Sequence, residues 1–345
     1  MICAALLLAL LSVGPGKTYA KPSQAAAAAQ DGDTVEIAAG IYPGDVAVWR
    51  ASRLTLRGKG GRVVLDAQGK SAERKAIWVI QGDDTRVENI EFMGESVPDR
   101  NGAGIRQEGR GLIVSNCLFH DNENGILAGA SPKSDIIVEN SEFRHNGQGD
   151  GYSHNLYIGH IRSFTLRGCW SHDAHAGHDV KSRADVNSII ANRINDDAGS
   201  DTSYLLDFPN GGECRVIGNL FERGVSAANG TLINFAEEGA VNPKQALALV
   251  SNTLVNIRPN ATYLRVKFAP DVRVVNNLFE GPGQHIVGTS KAEDDKGNSP
   301  GKLGDYDLMP RLQYTAPTGT RARPPQVPLQ LGAFAFAAQT DRKKL

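Results

Sequence analysis

Along most of the chain, apolar and polar positions alternate in short runs, and each run breaks at an amide or a small residue. Alternation with period two is the mark of a strand with one buried face. One phrase recurs: alternating aliphatics, an Asn, one or two polar or small positions, then an apolar residue. It reads Val87-Glu88-Asn89-Ile90-Glu91-Phe92, Val114-Ser115-Asn116-Cys117-Leu118-Phe119 and Val138-Glu139-Asn140-Ser141-Glu142-Phe143. Later copies are Ile190-Ala191-Asn192, Ile217-Gly218-Asn219-Leu220-Phe221, Val250-Ser251-Asn252 and Val275-Asn276-Asn277-Leu278-Phe279. Leu166-Arg167-Gly168 fills a missing register with Gly for Asn, and Leu56-Arg57-Gly58 reads as an earlier copy.

With Asn89, Asn116, Asn140, Gly168, Asn192, Asn219, Asn252 and Asn277 as markers, the repeat is 24 to 33 residues long. Three short strands per repeat of that length predict an all-β, single-stranded right-handed parallel β-helix, a solenoid. Its coils stack about 4.8 Å apart over a continuous apolar interior. The Asn is expected at a tight corner, where it tolerates left-handed backbone and can bond its counterpart one coil away. A leucine-rich repeat would need denser Leu, and a propeller a longer period.

The 345 residues therefore make one solenoid rather than two domains, and tight corners account for the 38 glycines. Lys+Arg number 37 against Asp+Glu 38, a net charge of −1 without the basic excess of a nucleic-acid binder. No apolar stretch is long enough for a spanning helix. The run Ala4 to Val13, followed by Gly14-Pro15-Gly16, reads as the core of a secretory signal cleaved before Lys21, so residues 1–20 are assigned to a signal peptide. Gly14-Pro15-Gly16-Lys17-Thr18 is not a phosphate loop, because Leu11 stands where that motif needs Gly. Residues 21–290 form the solenoid, with a capping helix around 23–30. Residues 291–345, rich in Pro, Gly, Lys and Asp, form an irregular segment packed on or capping it. Capped ends predict a monomer. Cys117 and Cys169 fall in one column two coils apart, about 10 Å, too far for a disulfide and suited to core packing.

Candidate chemistry lies in the second half of each repeat. If Ile105, Ile126, Leu156, Val180 and Leu205 point inward, then Arg106, Tyr157 and Lys181 share an outer face, with His154, His178, Arg183 and Asp207 close by. Such a face can exchange protons and clamp a carboxylate. Those are the requirements of β-elimination from a uronic acid: neutralise the carboxylate, remove the α-proton, protonate the leaving oxygen. Lys181, Arg183, His178, His154 and Tyr157 are the catalytic candidates. Arg106, Glu108, Asn155, Asp207, Asn210 and Glu237 are the candidates for holding substrate. His172, His175 and His178 do not converge as metal ligands at this spacing on a strand or loop, so no metal is assigned from them. Asp179, Asp207, Glu237 and Glu238 leave Ca2+ as a candidate cofactor.

The stretch Asp31-Gly32-Asp33-Thr34-Val35-Glu36-Ile37-Ala38-Ala39-Gly40-Ile41-Tyr42 resembles the segment that leads from capping helix into first coil in exported pectate-lyase-like β-helix proteins, and the resemblance runs to about Glu280. A narrower resemblance, to the alginate lyase and chondroitinase B family, lies in Lys181-Ser182, Asn187, Asn192, Arg193, Gly211, Cys214, Val216 and Gly218-Asn219. There an Asn-Lys-Ser segment supplies a basic Lys and an Arg-His-Gly segment one coil later a catalytic Arg. Lys181 matches the lysine. Val180 replaces the Asn, and Leu206-Asp207-Phe208-Pro209-Asn210-Gly211 stands where Leu-Arg-His-Gly is expected, so the acid role passes to Arg183, His178 or Tyr157. As a whole the chain is similar to bacterial right-handed parallel β-helix repeat proteins. The resemblance implies a periplasmic or secreted protein whose partner is a polysaccharide, and a lyase cleaving an acidic polysaccharide. A glycan-binding scaffold, a glycoside hydrolase and a uronate epimerase are the alternatives.

Overall fold

The computed structural model describes residues 9–197, 199–269 and 271–288, together with the backbone of 293–296 and 299–300. Three ladders of parallel strands wind the chain into a right-handed solenoid of about ten turns. The first ladder runs from Leu10–Val13 through Thr85–Glu88 and Leu112–Ser115 to Asp271–Val275 and the backbone at Glu293–Lys296. The second runs from Ile90–Met93 and Leu118–His120 to Leu278–Glu280. The long strands Thr34–Pro43 and Thr55–Asp66 serve both of these ladders. The third has ten strands among the described residues, from Ala47–Trp49 to Gln284–Gly288.

The corner between the first two ladders explains the repeated phrase. Its left-handed residue is Asn89, Asn116, Asn140, Gly168, Ala191, Gly218, Ser251 and Asn276 in successive coils, with φ between 47° and 67°. Asn192, Asn219, Asn252 and Asn277 stand one position later and point inward, so the markers chosen from sequence mix two columns. The inward column reads Cys117, Ser141, Cys169, Asn192, Asn219, Asn252 and Asn277. In it each backbone N–H donates to the side chain one coil on: Cys117 to Ser141 Oγ (3.1 Å), Cys169 to Asn192 Oδ1 (2.9 Å) and Asn192 to Asn219 Oδ1 (2.8 Å). A buried corner amide that water cannot reach is thereby satisfied. Cys117 and Cys169 are buried free thiols of this column, as expected of small core residues.

Inward alternate positions fill the interior. Phe92, Phe119 and Phe143 stack in register at 4.8 Å with near-parallel rings, and Trp78 and Trp49 continue the column edge-on. Each such contact adds about 0.5–1.5 kcal/mol beyond area burial. Pro22–Ala28 forms the expected helix, begun by Pro22 and capped where Gln24 Oε1 accepts from the Ala20 and Lys21 N–H groups. It buries Ala25 against the first rung.

Leu10–Val13, inside the run expected to be a secretory leader, pairs in parallel with Thr34–Ile37 and buries Leu11 and Val13 in the core. Cleavage before Lys21 would remove this first rung. Parallel pairing at the other end extends past residue 290, to Ser299–Pro300. Residues 1–8 and 301–345, the rest of the expected leader and of the expected irregular tail, lie outside the described residues. Among the described residues no helix is long and apolar enough to cross a membrane.

Candidate functional site

On the outer face of the third ladder, register turns distant sequence into neighbours. The pairs Arg106↔Leu127, Leu127↔Tyr157, Tyr157↔Lys181, Lys181↔Asp207, Asp207↔Asn234 and Asn234↔Arg265 define one outward column. The inward neighbours include Ile105, Ile126, Leu156 and Val180 as expected. Leu206, not Leu205, pairs with Val180, and this places Asp207 directly beside Lys181.

Lys181 is the centre of the group, its side chain only 12% exposed. Its Nζ lies 3.4 Å from Glu238 Oε1, 3.8 Å from Asp207 Oδ2 and 5.8 Å from the centroid of the Tyr157 ring. Arg183 ties the surroundings together: Nε donates to the Tyr157 hydroxyl (3.0 Å), one terminal nitrogen to Asn210 Oδ1 (2.6 Å) and the other to Glu238 Oε2 (2.7 Å). Asp207 Oδ1 accepts from Asn234 Nδ2 at 2.8 Å.

The two carboxylates differ in environment. Burial pushes Asp207 up to about 6, against the lowering pull of Asn234 and Lys181. Glu238 is half in solvent; against its own burial penalty, the hydrogen bond from Arg183 and the charges of Lys181 and Arg183 hold it below the ordinary carboxylate value.

One wall of the site is a ladder of rings. His154 and His178 stack at 4.6 Å, and Tyr204 continues the stack at 5.0 Å. The backbone N–H of His178 donates to His154 Nδ1 (3.0 Å) and that of Tyr204 to His178 Nδ1 (3.2 Å). With Nδ1 accepting, each neutral ring carries its proton on Nε2, and His178 Nε2 lies 3.6 Å from Asp207 Oδ2. Burial, with the nearby cationic side chains, pushes His178 down to about 3 and His154 well below its usual value. Both imidazoles are therefore fixed neutral donors, unsuited to shuttling a proton near neutrality.

Of the residues singled out from sequence, Lys181, Arg183, Tyr157, His178, His154, Asp207 and Asn210 come together here. Arg106 shares the column but stands three rungs from Lys181. Glu108 belongs to a separate cluster, with Lys75 Nζ at 2.6 Å and Gln81 Nε2 at 3.1 Å. Asn155 does not face the groove. It is fully buried, accepting from Asn146 Nδ2 and donating to Asp179 Oδ1, because its corner position turns inward. Glu237 points to Lys267, whose Nζ lies 3.8 Å from its Oε1, and its neighbour Glu238 occupies the site. Asp179 is also interior, so it cannot serve a groove cation. Nor does the rest of the donor set fit Ca2+: the Lys181 ammonium already stands against both Asp207 and Glu238. Asn234 and Tyr204 were not legible as site residues, since only the register brings them beside Asp207 and His178.

Residues 59–194 match the sequence model of the right handed beta helix region, and the architecture is the pectate-lyase-like β-helix. No curated protein sequence matches the chain. An alginate lyase from Paenibacillus sp. str. FPU-7 is similar in structure at a TM-score of 0.54 and 11% identity, over 84% of this chain and 97% of that one. The pectin methylesterase from Aspergillus niger gives 0.43 at 13% identity, over 87% and 92% of the two chains. Pectin methylesterase PemA from Erwinia chrysanthemi gives 0.42 at 10% identity, over 67% and 80%. At these identities the likeness concerns the fold.

Proposed function

We propose that the protein is an exported polysaccharide lyase that cleaves a uronate-containing glycan by β-elimination at the Lys181 groove. The observation that carries this reading is the grouping of Lys181, Tyr157 and Arg183 on two adjacent rungs of one outer face, with Arg183 donating to Tyr157 and Asn210. In this reading the uronate carboxylate takes the place of Glu238 on the Arg183 guanidinium, whose fork suits a planar anion. Neutralised, the carboxylate lets its α-proton leave as a developing enolate. Lys181 Nζ is the group placed to take that proton once the substrate has displaced Glu238 from it. The C4–O bond breaks as the C4–C5 double bond forms, and the Tyr157 hydroxyl protonates the departing oxygen. Lys181, on the next rung, returns the proton to Tyr157. His178 Nε2–H and Asn234 hold Asp207 in place beneath the ammonium. An extracellular or periplasmic location follows from a polymeric substrate of this kind.

One observation favours a second reading. Asp207, raised to about 6, and Glu238, lowered, form a pair of carboxylates pushed apart in acidity, as a glycoside hydrolase needs. The two readings separate in one experiment: incubation of the purified chain with a panel of uronate polysaccharides, following far-ultraviolet absorbance of the unsaturated product and, in parallel, reducing ends. The lyase yields both signals, and Lys181→Ala and Tyr157→Phe each lose about 10²–10⁴-fold, while the exposed His160→Ala does not. Reducing ends without the chromophore indicate hydrolysis. Neither signal, with glycan retained on the protein, indicates a scaffold and ends the lyase reading.

A further inference from the structure

A second group of side chains, unused by the proposed reaction, lies at the corner between the second and third ladders. Three successive turns there surround a cavity of about 460 Å³, lined by His145, Asp173, His175, Asp197 and Asp201 among others. The residues come from the second half of three consecutive repeats. They meet because the solenoid stacks equivalent corner positions one rung apart.

The geometry within this corner is compact. His172 is buried by the stack, and its Nδ1 lies 2.6 Å from Asp173 Oδ2. The backbone N–H of Asp197 donates to the other Asp173 oxygen at 2.7 Å, which fixes both lobes of that carboxylate. One ligating atom from each of His172, Asp173 and Asp197 lies within 4.8 Å of the others. His145 Nε2 stands 4.0 Å from Asp173 Oδ2, and His175 Nδ1 2.8 Å from Asp201 Oδ2. Asp179 and Asp196 add carboxylates just inside, and Arg223, buried against Asp196 at 3.0 Å, is committed to that pair. Carboxylates thus outnumber the cations facing the cavity, and imidazole nitrogens stand among them.

We infer that this corner is a binding site for one divalent transition ion of the Zn2+ class, held by His172, Asp173 and Asp197 with His145 closing the shell. Ligand atoms bound about 2.0–2.2 Å from a common ion lie some 3–4 Å apart. The ion would therefore replace the proton shared by His172 Nδ1 and Asp173 Oδ2 and open that 2.6 Å contact, while rotations of the exposed Asp197 and His145 side chains bring them in. Mixed imidazole and carboxylate donors favour Zn2+, Ni2+ or Co2+ over the all-oxygen shells of Ca2+ and Mg2+. One half of the site, His172 and Asp173, is shielded from solvent, with His172 stacked on the Trp170 ring at 4.1 Å, and the adjustable half comes from solvent-facing turns. The segment that carries His172 and Asp173 runs on to His178, so a bound ion would brace the wall of the Lys181 groove.

The test uses the full chain after chelator treatment and dialysis. Co2+ titration should raise visible d–d absorption saturating at one ion per chain, displaced by Zn2+, and either ion should raise the melting temperature. Asp197→Asn and His145→Ala alter exposed side chains and should melt like the parent without metal, yet weaken Co2+ binding at least tenfold; His160→Ala should not. Absence of d–d absorption and of any melting shift at millimolar Co2+ and Zn2+ overturns the inference. So does binding that both corner variants leave intact, which would put the ion elsewhere, or a melting shift produced by Ca2+ alone. None of these readouts depends on the lyase activity.

Discussion

Replacing Asp207 by Asn should stabilise the fold at neutral pH, an unusual outcome for a residue at the heart of a site. The carboxylate is 2% exposed, and burial raises it from 3.8 to about 6 even with Asn234 and Lys181 pulling it down. Each unit of such a shift is worth about 1.4 kcal/mol, so the charged form costs the folded state about 3 kcal/mol above pH 6. The sign follows from the direction. A folded value above the unfolded one means that the native state holds the proton more tightly. The favourable contribution is complete below pH 3.8 and disappears as pH rises through about 6. Asparagine has no charge to bury, can still accept from Asn234, and leaves Lys181 its ion pair with Glu238, although its NH2 then faces Lys181 and the His178 Nε2–H and offsets part of the gain. Asp207→Asn should therefore exceed the parent by up to about 3 kcal/mol at pH 7.5 and converge on it by about pH 4. Denaturant unfolding of both proteins across that range, with tryptophan fluorescence as the signal, measures the difference. A gap that does not change with pH, or a variant less stable throughout, would refute the reasoning.

Three further outcomes follow from the interior and the ends. Asn192→Ala removes the acceptor for the Cys169 N–H and two side-chain donations, to Leu166 O and Asn219 Oδ1. Leaving buried groups unpaired should cost about 2–4 kcal/mol, read as a drop in unfolding free energy. A chain beginning at Lys21 lacks the strand that pairs with Thr34–Ile37 and covers Val35 and Ile37; it should melt lower and self-associate through the bared edge, seen by light scattering. Burial pushes the thiols of Cys117 and Cys169 up to about 12 and Cys214 higher still, so a thiol reagent should label none of these three until the protein is unfolded.

The architecture is legible in the amino-acid pattern because a parallel β-helix repeats one local problem: a short strand, a corner and an inward apolar residue. Period and alternation report that problem directly. The corner asparagines show the limit of this reading. Asn140 and Asn192 look equivalent in sequence, yet one takes the left-handed backbone and the other donates into the interior. A one-residue difference in the corner, invisible to spacing, separates them. The same sensitivity explains why Asn155, expected at the groove, turns inward, and why Leu206 rather than Leu205 aligns with Val180.

For the site, composition and alternation alone placed Arg106, Tyr157 and Lys181 on one face, since period two in a strand decides which side a residue takes. What they could not supply was the pairing across coils of unequal length. Glu238 arrives from a loop 57 positions beyond Lys181, and Glu237 beside it turns to Lys267 instead. His172, Asp173, Asp197 and His145 gather at a second corner for the same reason. Sequence by itself determined the repeat, the buried face and the residue types offered to solvent. Only the tertiary structure decided which of them touch, because contact in a solenoid depends on the register between rungs, and insertions in the corners reset that register at every turn.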